Sequence, residues 1–437
     1  MAFEGNDKLL NPGEFVIEEL LLTSYNGTIV DLRNHFVELV INESMDRASL
    51  SGFVVLADNL NFTRHIPLIG NEKLRIRFKT AGRAKAIAQE FHCFKVSNRQ
   101  ESPGNKNAAV YELHFVSSTH ISSLKTKMSK SFYDMKFSEM AEKIYIDEMR
   151  GQKQLVVQPT HGKKNFVFPY QSPIEAIKRL AKLSLSTDLQ DSAYVFYENI
   201  DYFFFCSFNY LAKQSTVAAT YSWQQPGISG EPNSTVLRDL AQDFFRIENF
   251  KILSHNNTIQ NVEHGLFGSS TVIVDTTFKT TDYQDFSYNN DYYKLNTMQQ
   301  TGLLPRNGDN FSEHTMASYH VLPRQRFGYE NMEQIEDYEA TYLQRRAYMA
   351  QLANTRISIV VAGDSSRRVG EAVKVNIPSI EPNQKLSDLH DPYLSGVYII
   401  TQVTHIVQKN QYKMRLFLER DSQNTAFPEV KTTEYKL

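Results

Sequence analysis

The stretch Lys73-Leu74-Arg75-Ile76-Arg77-Phe78-Lys79 constrains the fold of this chain more than any other. Apolar and cationic residues alternate with a period of two, which an extended strand sorts onto opposite faces and a helix does not. Leu74, Ile76 and Phe78 are therefore expected in a core. Lys73, Arg75, Arg77 and Lys79 form a ladder of positive charge on the other face, towards water or a partner. Comparable short segments surround it. Phe36–Glu43, Ser49–Leu56, Glu90–Ser97 and Ala109–Ser118 read as strands, the last two separated by a polar turn, Asn98–Asn107, that contains Pro103-Gly104. Residues 14–124 are thus expected to form an antiparallel β domain.

The periodicity changes near Ser131. Phe137, Met140, Ala141 and Ile144 fall on one helical face. A second helix is marked by Ser172 as N-cap, Pro173 at the first helical position and Glu175 in the first turn, with Ile174, Ile177, Leu180, Ala181 and Leu185 as its apolar stripe. Tyr194–Glu198 and Tyr202–Ser207, joined by Asn199-Ile200-Asp201, read as a β-hairpin. Residues 125–215 are expected to be a small α+β domain.

A polar stretch with Pro226-Gly227 and Glu231-Pro232 follows. Beyond it, Phe244–Leu253 and Ser270–Lys279 read as strands, with a short helix over Thr258–Leu266 between them that ends at Gly265. Residues 284–330 are polar, aromatic and irregular, which marks an insertion with an interaction role or partial order, and Glu333–Asn354 returns to a helical pattern. Four closing strands, Ile357–Val361, Val373–Pro378, Gly396–Val403 and Tyr412–Glu419, are expected to join the pair before the insertion. The second β domain would then comprise 237–283 and 355–423, interrupted by 284–354. The fold class is α+β, mainly β, in keeping with 28 Phe and 23 Tyr against a single Trp, because aromatic side chains pack well on pleated surfaces.

The chain offers little for catalysis. None of the signatures G-x-x-x-x-G-K-[ST], G-x-S-x-G, H-E-x-x-H or C-x-x-C occurs. His255 and His264, even with Glu263, do not complete a recognised metal spacing, and Asp388-Leu389-His390-Asp391 runs into Pro392 as a turn opening. No catalytic residue, cofactor or metal is expected. Cys93 and Cys206 lie in aromatic runs and read as reduced, buried thiols. A net charge of -2 from 47 basic and 49 acidic residues advertises no general nucleic-acid surface. No apolar run approaches the ~20 residues that span a bilayer, and Met1–Pro12 lacks the pattern of a signal peptide, so a soluble protein without membrane insertion is expected.

Several of these stretches, in this order and spacing, resemble the baseplate hub family of contractile-tailed bacteriophages, whose fold is shared with the N-terminal part of type VI secretion spike proteins. The first carriers are Ser49–Asp58 and Ile66-Pro67-Leu68-Ile69-Gly70-Asn71-Glu72-Lys73-Leu74, then the Ser172-Pro173 helix leading to Phe196-Tyr197-Glu198. Asn261–Ser269 with Asp275 follows, and then Gly363-Asp364, Arg368-Val369-Gly370, Ile377-Pro378, Ser395–Tyr398, Thr404-His405 and Arg420-Asp421-Ser422. The resemblance implies two tube-like β barrels per chain and a homotrimer whose six barrels form a ring. Such a ring meets a sixfold tail tube on one side and a threefold central spike on the other, without enzymatic activity. The expected neighbours are the tail tube protein, the spike protein, baseplate wedge proteins and the tape measure protein, with transient passage of DNA, in a virion tail assembled in the host bacterial cytoplasm. The ladder Lys73, Arg75, Arg77 and Lys79 is then either a solvated strand face or a lumen-lining or inter-subunit surface. Two further readings stand beside this one: the hub of a phage-derived contractile injection or secretion system, and a carbohydrate-active β protein of the cell wall.

Overall fold

A computed structural model of the protein describes residues 11–58, 68–102, 105–188, 191–214, 216–223, 243–276, 278–291, 297–299, 301–302, 318–323, 333–379, 390–423 and 425, with the side chains of 101–108, 301–302 and 333–340 left undescribed. Ile66-Pro67, Pro103-Gly104, Pro226-Gly227, Glu231-Pro232, Asp388-Leu389 and much of the expected insertion lie outside the described residues.

Seven strands build the N-terminal part: β1 (Phe15–Thr23), β2 (Ile29–Asp31), β3 (Phe36–Ser44), β4 (Ser51–Asp58), β5 (Lys73–Thr80), β6 (Ile87–Ser102) and β7 (Asn105–Ser117). Their order is β2-β1-β5-β6-β7-β4-β3, with every pairing antiparallel. β5 alternates as its sequence requires: Leu74, Ile76 and Phe78 are fully buried, and the cationic residues between them point away from the core. The polar segment expected as a turn over Asn98–Asn107 is shorter in the structure. β6 runs on to Ser102 and β7 begins at Asn105, because backbone pairing sustains a hairpin beyond the point where side-chain alternation stops. Gly52 sits where two strands close tightly, since a Cβ there would lie 2.1 Å from the carbonyl oxygen of Val40 and 2.7 Å from the ring of Phe115.

The middle of the chain holds α1 (Ser118–Lys125), β8 (Met128–Met135), α2 (Phe137–Lys143) with a π turn over Ile144–Glu148, β9 (Gln154–Val157), β10 (Lys164–Gln171), α3 (Pro173–Leu183), β11 (Tyr194–Glu198), β12 (Tyr202–Ser207) and α4 (Phe208–Gln214). β8 and β10 form a ribbon; β11, β12 and β9 form a sheet in that order, with β12 and β9 parallel. α3 starts on a complete capping box. Ser172 Oγ accepts from the amide of Glu175 while the Glu175 carboxylate accepts from the amide of Ser172. Ile177, Leu180 and Ala181 then pack with Met140, Ile144, Phe166, Phe168, Phe196, Phe203 and Phe205 in a core of their own.

The remaining elements are β13 (Thr220–Trp223), β14 (Arg246–His255), α5 (Thr258–Glu263), β15 (Gly268–Asp275), β16 (Thr280–Ser287), α6 (Tyr288–Asp291), β17 (Thr301–Gly302), β18 (Tyr319–Pro323), α7 (Glu333–Asn354), β19 (Thr355–Ala362), β20 (Ala372–Asn376), β21 (Gly396–Gln408), β22 (Gln411–Glu419) and β23 (Ser422–Gln423). Six of them close a barrel, β21-β20-β13-β14-β19-β22, through the pairing of β22 with β21. β13 is parallel to both its neighbours; the other barrel pairings are antiparallel. The sequence pattern put Ser270–Lys279 with the closing strands. The structure instead pairs β15 with β16, the antiparallel strand that follows it directly in the chain, and with the more distant β18 in a separate three-stranded sheet.

The long strand β21 joins the two β parts. Its first residues pair with β20, Gly396 opposite Val375 and Ile399 opposite Ala372. After a bulge between Ile400 and Gln402, seen against β22, residues Gln402–Gln408 pair with Ser44–Glu38 of β3. The N-terminal sheet thus continues through β3 into the barrel wall, giving thirteen strands in one hydrogen-bonded series. One apolar core runs through both parts, from Leu20 and Phe78 to Ile359, Val403 and Leu416.

Candidate functional site

The cationic ladder lies on the outward face of β5. Side chains of Lys73, Arg75 and Arg77 are 55%, 60% and 51% exposed, and Lys79 is the most covered at 21%. Two carboxylates from the flanking strands interleave with it. Glu90 on β6 lies 2.9 Å from Lys73 and 3.9 Å from Arg75, and Glu18 on β1 lies 2.5 Å from Arg77 and 3.8 Å from Lys79. Exposed pairs of this kind contribute only ~0–1 kcal/mol each to stability. Glu90 and Glu18 thus each pair with two of these cations, which moderates the charge of the face.

Beyond the ladder, the chain turns inward and its charged residues become structural. Lys85 and Arg368 both hold the carboxylate of Asp201, at 2.7 Å and 2.9 Å. Burial alone would raise the pKa of Asp201, but the hydrogen bonds and charges of Arg368 and Lys85 outweigh it and hold the group below its ordinary value. Asp201 belongs to the β11–β12 turn, and that turn is wedged into the seam between the N-terminal sheet and the barrel. Ile200 donates its amide to Glu43 Oε2 at 3.2 Å, and Glu43 Oε1 lies 3.0 Å from His405 Nε2. His405 Nδ1 in turn lies 2.7 Å from the hydroxyl of Tyr412. Glu43 and His405 are both fully buried. Alongside, Glu198 accepts from the amide of Leu50 and pairs with Lys153 at 2.8 Å. A further tie links Thr80 with Ser365, whose amide donates to Thr80 Oγ1 at 2.8 Å while Ser365 Oγ accepts from the Thr80 amide.

These contacts bind the two β parts and the α+β part at one place through polar groups that are satisfied by one another. Thr404-His405, Arg368 and Gly370, singled out in the sequence, all act here; the Gly370 amide donates to the carbonyl of Ile400. Sequence reasoning missed Glu43 and Asp201, and the only signal available was an acidic residue inside an otherwise apolar strand, Val40-Ile41-Asn42-Glu43. Arg420-Asp421-Ser422 has a second internal role. Buried Asp421 accepts from the Met298 amide and the Tyr348 hydroxyl, and burial raises its pKa. Cys93 and Cys206 are buried and unbridged, with thiol pKa values pushed up by burial. His255 rests on Thr355, 3.3 Å away, and no group of three metal-ligating side chains forms among the described residues. No helix among them is long and apolar enough to cross a membrane.

The arrangement defines a class of fold: a mainly β chain in which a curved sheet, a strand-sharing barrel and a small α+β unit are fastened at one polar junction, with an outward cationic strand. This is a fold of tail proteins. The tail protein from Neisseria meningitidis MC58 is similar over 93% of this chain and 97% of its own, with a TM-score of 0.55 at 10% identity. The 43 kDa tail protein of prophage MuSo2 from Shewanella oneidensis is similar over 92% of this chain and 98% of its own, with a TM-score of 0.53 at 8% identity. No protein-family profile matches the sequence, and no curated protein does. At such identities the likeness carries the fold alone.

Proposed function

We propose that this chain is a non-enzymatic structural hub of a phage tail baseplate. Three copies form a ring that joins the sixfold tail tube to the threefold central spike and surrounds the channel through which DNA passes. The observation that carries this reading is the likeness of fold to two tail proteins along nearly the full length of each chain. The architecture supports it as well. Each chain presents two β parts in continuous register through β3 and β21, so three chains supply six β units to a tube while meeting a spike in threefold symmetry.

In this reading the working parts are 14–124 as the first tube-like unit, 125–215 as the α+β unit, the barrel of β13, β14, β19, β20, β21 and β22 as the second tube-like unit, and the segment 284–354 as an insertion facing another component. The neighbours are the tail tube protein, the spike protein, baseplate wedge proteins and the tape measure protein, within the tail of a virion. Lys73, Arg75, Arg77 and Lys79 line the lumen or an inter-subunit contact. Their interleaved carboxylates moderate the charge, which suits a channel that must let DNA slide rather than hold it.

Electron microscopy of the purified protein tests the reading. Class averages should show threefold rings with a central opening; particles without rotational symmetry or opening at any concentration would overturn it. Arg75→Glu with Arg77→Glu tests the ladder: ring assembly or DNA passage should fall, and if both are unchanged the face is merely solvated.

A further inference from the structure

Four buried side chains stand in a row between the α+β unit and the end of the barrel. Asp191 precedes β11, Asn209 lies in the first turn of α4, Tyr348 on α7, and Asp421 between β22 and β23. None of the four is more than 5% exposed. Three short contacts join them. Asn209 Nδ2 lies 2.8 Å from Asp191 Oδ1, Asn209 Oδ1 lies 2.7 Å from the Tyr348 hydroxyl, and that hydroxyl lies 2.8 Å from Asp421 Oδ2.

Each contact needs a hydrogen covalently bonded to one of the two atoms it joins, so the row needs three, whatever else these groups touch. Asn209 carries amide hydrogens at one end of its side chain only and completes one contact. Tyr348 has a single hydroxyl hydrogen and completes a second. Turning the amide over moves the shortfall to the other end of the row and does not remove it. The third hydrogen is therefore a carboxyl proton. With Nδ2 on Asp191, the Tyr348 hydrogen is spent on Asn209, and the contact with Asp421 is made by the carboxyl's own proton rather than by the hydroxyl. Asp421 Oδ1 already accepts from the Ser422 hydroxyl at 2.6 Å and the Met298 amide at 3.1 Å, which leaves Oδ2 to carry the proton. Asp191 instead collects a second donor, the Ser207 hydroxyl at 3.4 Å, as suits an ionised carboxylate. Burial acts in the same direction on Asp421 and raises its pKa.

The other charged groups nearby are turned elsewhere. Arg345, one turn before Tyr348 on α7, donates to the carbonyls of Ser192 and Tyr194. Arg420, next to Asp421 in the chain, donates to the carbonyls of Tyr393 and Ser395 and lies over the ring of Tyr398. A turn beyond Tyr348, Gln351 donates to the Asp421 carbonyl at 2.9 Å, so α7 is tied to this point twice. We propose that Asp421 holds a proton at neutral pH, and that this proton is a catch that locks α7 to the α+β unit and to the end of the barrel and opens in alkaline solution. The folded state binds a proton there that the unfolded chain releases above about 3.9, so the stabilisation is complete below that value and is lost as pH rises through the folded value. The inference stands on the count of hydrogens and does not require the hub reading.

Asp421→Asn tests it, because an amide keeps a donor towards Tyr348 that cannot be titrated away. Relative to this variant, the wild-type chain should lose resistance to urea as pH is raised from 6 to 9. Over the same range, hydrogen exchange in 347–354, corrected for the intrinsic rate, should quicken at least tenfold in wild type and stay level in Asp421→Asn. Parallel urea curves, or equal exchange in the two proteins, would overturn the inference. Infrared spectroscopy keeps the test decisive if Asp421→Asn folds poorly. Wild type at neutral pH should show a protonated-carboxyl band that shifts in Tyr348→Phe, which loses only the hydroxyl bonded to it. Buried Glu371 and Glu419, whose pKa values are also raised by burial, do not contact Tyr348 and would leave such a band in place. Absence of the band, or a band that Tyr348→Phe leaves unmoved, would contradict a proton on Asp421.

Discussion

Replacing Glu43 with alanine should be among the most damaging single changes in this chain. The side chain is fully buried and accepts from two groups in different parts of the molecule, the Ile200 amide at 3.2 Å and His405 Nε2 at 3.0 Å. Alanine leaves both without an acceptor and away from water, and each such orphan costs ~1–3 kcal/mol. Two orphans together make the expected loss about 2–6 kcal/mol. Urea unfolding followed by the fluorescence of Trp223 is the natural assay. It is the only tryptophan, and it sits on β13 in the barrel wall, 6.3 Å from the ring of Phe250. Glu38→Ala is the control. That carboxylate is exposed and bonds Gln408 at 2.9 Å across the same two strands, so its loss should change stability by no more than ~0.5 kcal/mol. If Glu43→Ala unfolds at the same urea concentration as the control, the seam is not where the parts are fastened and the reasoning fails.

Gly52→Ala should destabilise the N-terminal sheet by about 3 kcal/mol, because the new methyl meets a ladder carbonyl and the buried Phe115 ring; a melting temperature equal to wild type would refute this. Stability should also respond to acid through His120 and His255. Burial lowers the pKa of both, more than Glu198 and Asp391 respectively restore it. The folded state therefore favours the neutral rings, and their contribution is complete above the unfolded value of about 6.5 and lost as pH falls below it. Between pH 7.5 and 5.5 a His120→Gln, His255→Gln protein should lose less stability than wild type, and parallel pH curves would contradict the assignment.

What the sequence disclosed followed from local rules. The β5 alternation, the Ser172–Glu175 capping box, the Tyr194–Ser207 hairpin and the α7 helix from Glu333 to Asn354 are each determined by a period or a cap within a dozen or so residues. Partner choice between distant strands has no such local mark. Nothing in Glu38–Ser44 announces that it pairs with Gln402–Gln408, and four residues of β13 are too few for their parallel pairing to leave a pattern. β15 has a clear strand pattern, yet its sheet is chosen by β16 and by β18, a segment that arrives more than forty residues later. The ladder was legible because exposure on one face is a local property; Glu18 and Glu90, which temper it, come from strands that only the fold brings alongside.

Light scattering on the purified chain, read across a concentration series, addresses the hub most directly. The account predicts a species with three times the 50.3 kDa mass of one chain, persisting on dilution into the low micromolar range. A strict monomer, or a dimer that never passes to a trimer at the highest concentrations, would contradict a self-assembling threefold ring.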